Sequence, residues 1–268
     1  MNRLAAFATL VLLSGLVGQA SGQHAPLKIT DDTVAVVRGA QAGILLLPDS
    51  RPPFPAVVLM HGCGGVTQNM QTWAKRLQGW GYAALILDSF EQRGIETICN
   101  HGYQFSGRER AKDAFAAGAY LRGRADIDPA HIALIGFSHG GITALAASVQ
   151  NRVNFYHAQP FAAVIAYYPG CPAVAPQLAN DVQILIGSAD DWTPAERCSE
   201  WVPLYDGATS HKPLLKIYPG ALHAFDARAP LRMYMGHRLG YDAKAAQDSF
   251  KMTRGFLDSR LRPETPHE

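Results

Sequence analysis

Apolar runs of strand length alternate with stretches of helical length between residues 56 and 262. Such runs are typical of strands buried on both faces, and the intervening stretches are long enough for crossover helices. The pattern predicts the α/β class, with a mostly parallel sheet covered by helices on both faces. The eight candidate strands lie at residues 34–37, 43–47, 56–60, 83–87, 132–135, 162–166, 184–186 and 214–218. The candidate helices lie at residues 70–80, 107–124, 140–150, 194–206 and 243–262.

The first two candidate strands precede the parallel part of the sheet. Only residues 38–42 separate them, which is too short for a crossover helix, so we expect an antiparallel hairpin at one edge. The chain has 268 residues, of which 48% are hydrophobic, and no internal repeat or linker divides it. A single domain over residues 23–268 is therefore expected.

The N-terminus has the pattern of a secretory signal peptide. An apolar run at residues 4–18 follows Arg3, and the small residues Ala20, Ser21 and Gly22 come next. This predicts a signal at residues 1–22 with cleavage near Gly22, and hence a secreted or periplasmic protein with no stable membrane partner. An uncleaved membrane anchor is the alternative.

The charge balance argues against a polyanionic partner. The full chain has a formal net charge of +2. Loss of Arg3 with the signal leaves 23 basic and 22 acidic residues, a net charge of +1. Without a basic run or a recognised nucleic-acid motif, we expect no nucleic-acid partner.

Four cysteines are expected to form disulfides in an oxidising compartment. They are Cys63, Cys99, Cys171 and Cys198, and four cysteines allow three pairings. Cys171 follows the strand at residues 162–166, and Cys198 opens the helix after the next strand, which favours a bridge between them. Cys63 is expected to pair with Cys99 in the same way, or to remain a free thiol beside the nucleophile.

The strongest chemical signal is Gly136-x-Ser138-x-Gly140. An apolar strand precedes it and a run of small residues at helical length follows it. This is the context of a nucleophile elbow, in which a tight strand-to-helix turn exposes the serine hydroxyl above the sheet. The motif predicts Ser138 as a nucleophile.

A serine nucleophile needs a base and an orienting acid, which elbows of this kind supply in the order serine, acid, histidine. His223 follows the last predicted strand, and Asp190 and Asp191 follow the strand before it. We therefore predict His223 as the base and Asp190 as the acid. Asp191 is the alternative acid, or otherwise a supporting charge next to the acid or the cap of the helix that starts near Pro194.

Two backbone amides are expected to form an oxyanion hole. One belongs to His139, directly after the nucleophile, and the other to Cys63 in the glycine-rich segment 61–65. A phosphate-binding role for that segment is disfavoured because no Gly-Lys-Ser/Thr follows it. Ten histidines are present without metal-ligand spacing, so neither a metal nor a cofactor is expected.

Five motifs in register resemble the dienelactone hydrolase family of α/β-hydrolases, over residues 34–261. The resemblance implies the α/β-hydrolase fold and a cofactor-free hydrolase of small esters or lactones with the triad Ser138, Asp190 and His223. One departure is that the founding enzymes carry cysteine at the elbow, where this chain has serine. The motifs are His61-Gly-Cys-Gly-Gly65, Asp88-Ser-Phe-x-x-Arg93-Gly94, Gly136-Phe-Ser-His-Gly140, Gly187-x-x-Asp190-Asp-Trp-Thr-Pro194 and Tyr218-Pro-Gly-x-x-His223-x-Phe225.

Three residues near strand ends are candidates for substrate binding. Arg93 and Arg228 are placed to hold a substrate carboxylate, an arrangement that the family resemblance also suggests, and Trp192 is placed to line the pocket. The alternative for each arginine is a plain surface position or an ion pair, with Asp88, Glu91 or Asp226 as the partner. Two other functions stay open: a peptidase or polymeric-ester hydrolase with the same triad, and a non-catalytic ligand-binding protein.

Overall fold

The computed structural model describes residues 33–35, 42–101, 104–206 and 211–262. The predicted signal peptide, its cleavage position and the C-terminal tail lie outside these residues. Part of the first predicted strand, residues 36 and 37, also lies outside them.

Eight strands form one sheet, as predicted. Their order across the sheet is β1-β2-β4-β3-β5-β6-β7-β8, and β3 to β8 run parallel. The first two strands pair antiparallel at one edge, and β2 also pairs antiparallel with β4. The strands are β1 (Thr33–Ala35), β2 (Ala42–Leu46), β3 (Phe54–Met60), β4 (Ala83–Asp88), β5 (Ile127–Phe137), β6 (Ala163–Tyr167), β7 (Val182–Gly187) and β8 (Leu214–Tyr218).

The strand order reverses at β3, which has β4 on one side and β5 on the other. In open sheets with parallel strands, ligands bind beyond the carboxyl ends of the strands near such a reversal. Ser138 directly follows β5, so the elbow lies beside this position.

Helices cover both faces of the sheet, which explains why β6 and β7 are buried along their whole length. On one face α1 packs against α6, with the rings of Trp73 and Phe250 5.2 Å apart. The helices are α1 (Gln68–Gly79), α2 (Gly107–Arg122), α3 (His139–Ala147), α4 (Gln150–Phe155), α5 (Ala195–Trp201) and α6 (Ala243–Leu261). None of the helices in the described part of the chain has the length and apolar character needed to cross a membrane.

Two predicted helices end earlier than expected. The helix predicted for residues 140–150 is α3, which ends at Ala147 because the chain turns to an extended conformation at Val149 before α4 begins. The helix predicted for residues 194–206 is α5 followed by a 3₁₀ turn, Val202–Tyr205. Pro203 lies in this turn and has no backbone N–H to continue an α-helix.

A second sheet, a two-stranded hairpin, was not predicted. It consists of β9 (Arg232–Tyr234) and β10 (His237–Leu239), within a segment predicted only as a long loop. Met235 and Gly236 both have positive φ, 51° and 82°, as a two-residue hairpin turn requires. The strands are short and lack alternating apolar residues, so their sequence carries no strand signal.

Candidate active site

Ser138 occupies the tight turn between β5 and α3. Its φ of 54° and ψ of −116° are strained for a residue with a side chain. The turn closes only because two glycines flank it: a Cβ on Gly136 would lie 2.0 Å from the carbonyl oxygen of Gly140. A Cβ on Gly140 would lie 2.1 Å from the carbonyl oxygen of Met60. The local sequence therefore forces the serine hydroxyl out at the end of the strand.

Three side chains from separate loops form a hydrogen-bonded line. Oγ of Ser138 lies 3.0 Å from Nε2 of His223, and Nδ1 of His223 lies 2.8 Å from Oδ2 of Asp190. His223 and Asp190 are only 2% and 4% exposed. A carboxylate accepts from Nδ1–H, so Nε2 presents its lone pair to the hydroxyl, as a general base must.

The orientation of the Asp190 carboxylate is set by the loop that carries it. The Oδ1 atom of Asp190 accepts from the backbone N–H groups of Trp192 and Thr193, each at 2.9 Å. Its Oδ2 atom accepts from the Thr193 hydroxyl, also at 2.9 Å. These bonds leave Oδ2 aimed at the imidazole.

Asp191 points elsewhere. Its carboxylate pairs with Arg238 at 3.2 Å and with His237 at 3.4 Å, both on the β9–β10 hairpin. The predicted alternative role of Asp191 as the cap of α5 is wrong, because the residue before that helix is Pro194. Asp191 instead attaches the hairpin to the loop that holds Asp190.

The two predicted oxyanion residues lie on either side of the elbow. His139 is the first residue of α3, and Cys63 lies in the segment after β3. That segment packs on the elbow, since a Cβ on Gly62 would be 3.5 Å from Cβ of Ser138. The carbonyl of Cys63 accepts from the backbone N–H of Ile98 at 2.9 Å, which ties the segment to the loop after β4.

Both predicted disulfides are present. Cys63 pairs with Cys99, and Cys171 pairs with Cys198. No free cysteine occurs in the described residues, so the free-thiol alternative for Cys63 is wrong. The Cys63–Cys99 bridge joins the same two loops as the Ile98 hydrogen bond, and so holds the backbone of Cys63 beside the elbow.

With this geometry established, comparison with known proteins shows the family. A model of the dienelactone hydrolase family matches residues 42–261. The chain belongs to the dienelactone hydrolase family. The resemblance seen in the sequence motifs is therefore confirmed, and with it the α/β-hydrolase fold.

Two curated relatives agree with this membership, and solved structures agree with the fold. A Synechocystis sp. protein provisionally named carboxymethylenebutenolidase is 25% identical over 243 residues, 82% of this chain and 92% of the relative. A Methylorubrum extorquens protein with the same provisional name is 27% identical over 218 residues, covering 76% and 72%.

Among solved structures, the dienelactone hydrolase-like promiscuous phosphotriesterase P91 from metagenomic libraries superposes with a TM-score of 0.65 at 20% identity. The match covers 82% of this chain and 93% of P91. The esterase Est2 of Thermogutta terrifontis in its propionate-bound form superposes with a TM-score of 0.62 at 17% identity. That match covers 87% of this chain and 96% of Est2.

Within this family member, Arg93 lies in an ion pair. Its Nη1 and Nη2 atoms donate to the two carboxylate oxygens of Asp113 at 2.7 and 2.9 Å, and Nη1 also donates to the carbonyl of Ser89 at 2.6 Å. The guanidinium fork is therefore occupied, which favours the ion-pair alternative for Arg93 over a substrate-binding role. The partner is also not one that was expected, because Asp113 lies on α2, far from Arg93 in sequence.

The other two substrate-binding candidates have different surroundings. Arg228 is exposed, and its guanidinium carbon lies 5.9 Å from the ring of Tyr241. Trp192 lies next to His223, with the centres of the two rings 5.1 Å apart. On its other side Trp192 stacks on His237 of the hairpin, at 4.8 Å and 11°.

A buried network behind His223 escaped the sequence analysis. The ring of Tyr168 packs 4.7 Å from that of His223, and its hydroxyl donates to Oδ1 of Asp226 at 2.8 Å. Asp226 also accepts from Trp73 and Asn69, at 2.7 and 2.9 Å. Burial, with Asp226 as a further cause, raises the pKa of Tyr168 well above its usual value, so the tyrosine stays protonated. Asp226, like His223, lies in the loop after β8, and this position in the sequence could have identified it as a residue near the site.

A second missed residue is Arg110, in the first half of α2. It is fully buried at a position that shares a helix face with Ala114, Ala117 and Leu121, all buried. A lone arginine in such an apolar stripe was the signal in the sequence. No group of three or more His, Cys, Asp or Glu side chains in the described part of the chain is placed to hold a metal ion.

Proposed function

We propose that this chain is a serine hydrolase that cleaves small esters or lactones through an acyl-enzyme. The observation that carries the proposal is the line of hydrogen bonds from Ser138 through His223 to Asp190, located at the elbow between β5 and α3. Family membership supports hydrolysis as the general chemistry.

In the proposed reaction Nε2 of His223 takes the proton of Ser138 while Oγ attacks the substrate carbonyl carbon. The tetrahedral oxyanion accepts hydrogen bonds from the backbone N–H groups of Cys63 and His139. His223 then donates the proton to the leaving alkoxide, which for a lactone is the far end of the same molecule. A water molecule activated by His223 releases the acyl group, and Asp190 orients the imidazole throughout.

We also propose that the protein works outside the cytoplasm. Both bridges, Cys63–Cys99 and Cys171–Cys198, are stable in an oxidising compartment and rare elsewhere. The signal-like pattern of residues 1–22 supports the same location. Fractionation of cells that express the full-length chain, with mass-spectrometric sequencing of its N-terminus, tests the location and the cleavage near Gly22 together.

A second candidate is a hydrolase of larger, polymeric esters. Met233, on the β9–β10 hairpin next to Trp192, has 64% of its surface exposed. Leu231, directly before the hairpin, has 70% exposed. An apolar surface beside the site favours a substrate that extends past the reacting carbonyl. Comparing kcat/KM for p-nitrophenyl acetate with that for longer acyl chains and a polyester film separates the two candidates.

The decisive experiment is labelling with a fluorophosphonate, followed by mass spectrometry of the adduct. We expect a single adduct on Ser138, none in Ser138→Ala, and loss of ester hydrolysis in proportion to labelling. Labelling at another residue, or hydrolysis that survives full labelling of Ser138, would contradict the proposal. A protein that binds esters without labelling or turnover would be the ligand-binding alternative.

A further inference from the structure

Arg110 is a buried cation that the proposed reaction does not use. It lies on α2 with no exposed surface, and burial lowers the pKa of its guanidinium to about 9, so it remains charged at neutral pH. Its Nε atom is buried and has no hydrogen-bond partner in the described residues. The carboxylates of Asp113 and Asp88 stabilise this charge, but the unsatisfied buried donor still costs stability, so stability alone is a poor reason for the residue to be here.

The guanidinium joins the two segments that carry the oxyanion amides. Nη1 of Arg110 donates to the carbonyl of His61 at 3.1 Å and lies 2.9 Å from Nδ1 of His139. His61 is two residues before Cys63, and His139 directly follows the nucleophile. One side chain thus holds both the segment after β3 and the start of α3.

Hydrogen bonds fix the tautomer of both imidazoles, His61 and His139. An arginine only donates, so Nδ1 of His139 must be an unprotonated acceptor. His61 accepts from the backbone N–H of Ser89 at Nε2 and faces the carbonyl of Gly62 with Nδ1 at 2.7 Å, so its proton is on Nδ1. Burial, followed by the charge of Arg110, lowers the pKa of His61 well below its usual value. The His61 ring is therefore neutral, and both rings are held in one orientation.

The segment after β3 has little room to move against α3. A Cβ on Gly140 would lie 2.6 Å from the carbonyl oxygen of His61, so this carbonyl sits directly against the first turn of α3. It is this same oxygen that Arg110 binds. A shift of the carbonyl by a fraction of an ångström rotates the peptide planes that lead to Cys63.

We propose that Arg110 is a positioning residue that holds the backbone N–H groups of Cys63 and His139 at the spacing the oxyanion requires. The inference rests on the proposed function, since it needs Ser138 to form a tetrahedral adduct. Donors aimed at an oxyanion act mainly in the transition state, so misplacing them lowers kcat more than it raises KM.

The test compares Arg110→Met and Arg110→Lys with the wild-type enzyme and with Arg122→Met. Arg122 is a matched control because it lies on the same helix, has a buried Nε without a partner in the described residues, and donates instead to the carbonyl of Pro160. Active sites are counted by fluorophosphonate titration, and kcat is expressed per titrated serine. The inhibition constant of a trifluoromethyl ketone, which forms an oxyanion on the serine, is measured in parallel.

For Arg110→Met we expect kcat per site to fall by about 10- to 100-fold with KM within about 3-fold, and the ketone to bind weaker by a similar factor. In Arg110→Lys kcat per site should fall less than in Arg110→Met, because a lysine ammonium makes only some of the hydrogen bonds of the guanidinium. Arg122→Met should keep kcat and the ketone affinity within about 2-fold. If neither Arg110 variant folds, His139→Ala removes one anchor of the same clamp and should lower kcat per site in the same direction.

Two results would overturn the inference. One is wild-type-like kcat per site and ketone affinity in Arg110→Met, or in His139→Ala where the Arg110 variants do not fold. The other is a reduced number of titratable sites with unchanged kcat per site, which marks a purely structural role. Neither result affects the proposed function, which stands or fails on the labelling of Ser138 in the wild-type protein.

Discussion

The hydroxyl of Tyr168 donates a 2.8 Å hydrogen bond to the buried carboxylate of Asp226. The same tyrosine ring packs against His223, so the bond supports the imidazole from behind. A hydrogen bond to a charged acceptor contributes more to stability than one to a neutral carbonyl. This relationship gives a prediction with an internal control.

Tyr168→Phe should lower the free energy of unfolding by roughly 1.5–3 kcal/mol, because it leaves Asp226 with fewer donors in a buried site. Tyr205→Phe is the matched control, since Tyr205 is equally buried and its hydroxyl donates to the neutral carbonyl of Pro176 at 2.9 Å. That variant should lose about 1 kcal/mol. Urea unfolding curves measure both, and equal losses would count against a charged Asp226.

Ser138→Ala and His223→Ala should each lower kcat/KM for p-nitrophenyl acetate by roughly 10³-fold or more, with a normal melting curve. The double variant should lose little beyond either single change, because the two groups act on one proton. Near-additive losses in the double variant would show that the 3.0 Å contact between Oγ and Nε2 is not used in catalysis.

Asp190→Asn should lower kcat by about 10³- to 10⁴-fold, because an amide can force the wrong tautomer on His223. Asp191→Asn should change kcat far less, since its carboxylate binds Arg238 and His237 rather than His223. The two substitutions are chemically identical neighbours and so control for each other. The reverse order of activities would transfer the acid role to Asp191.

Removal of either disulfide should destabilise the fold by roughly 2–4 kcal/mol, since the sequence separations are similar, 36 and 27 residues. Only the pair Cys63→Ser and Cys99→Ser should also lower kcat, because that bridge holds the segment that carries the Cys63 amide. The Cys171→Ser and Cys198→Ser pair is the control. Thermal melts and kcat per titrated serine distinguish the two effects, and equal kcat losses would argue against a role for Cys63.

Arg93→Ala should lower kcat/KM equally for a neutral ester and for a carboxylated ester of the same size, because its fork is already bound to Asp113. Arg228→Ala should reduce kcat/KM by roughly 10-fold for the carboxylated ester alone, since this exposed guanidinium has no ion-pair partner of its own in the described residues. A selective loss in Arg93→Ala would restore it as the carboxylate-binding group.

The sequence by itself determined the sheet, the elbow and the order of Ser138, Asp190 and His223. These follow from local rules: glycines allow the strained turn, and parallel strands bring their carboxyl ends to one edge. Loops that are far apart along the chain therefore meet at a predictable place. The same rule explains why both disulfides were predicted, since each joins two segments that follow neighbouring strands, Cys198 lying in α5.

Only the tertiary structure decided which side chains surround that edge. Arg110 meets His139 across 29 positions, and Tyr168 meets Asp226 across 58. Arg93 forms its ion pair with Asp113, which lies on a helix, and not with the acidic residues nearer to it in sequence. Such contacts depend on how a helix is rotated against the sheet and on which buried charged groups that rotation brings within hydrogen-bond distance. Sequence periodicity identifies the face of a helix, whereas the pairing of buried polar groups is set by packing in three dimensions.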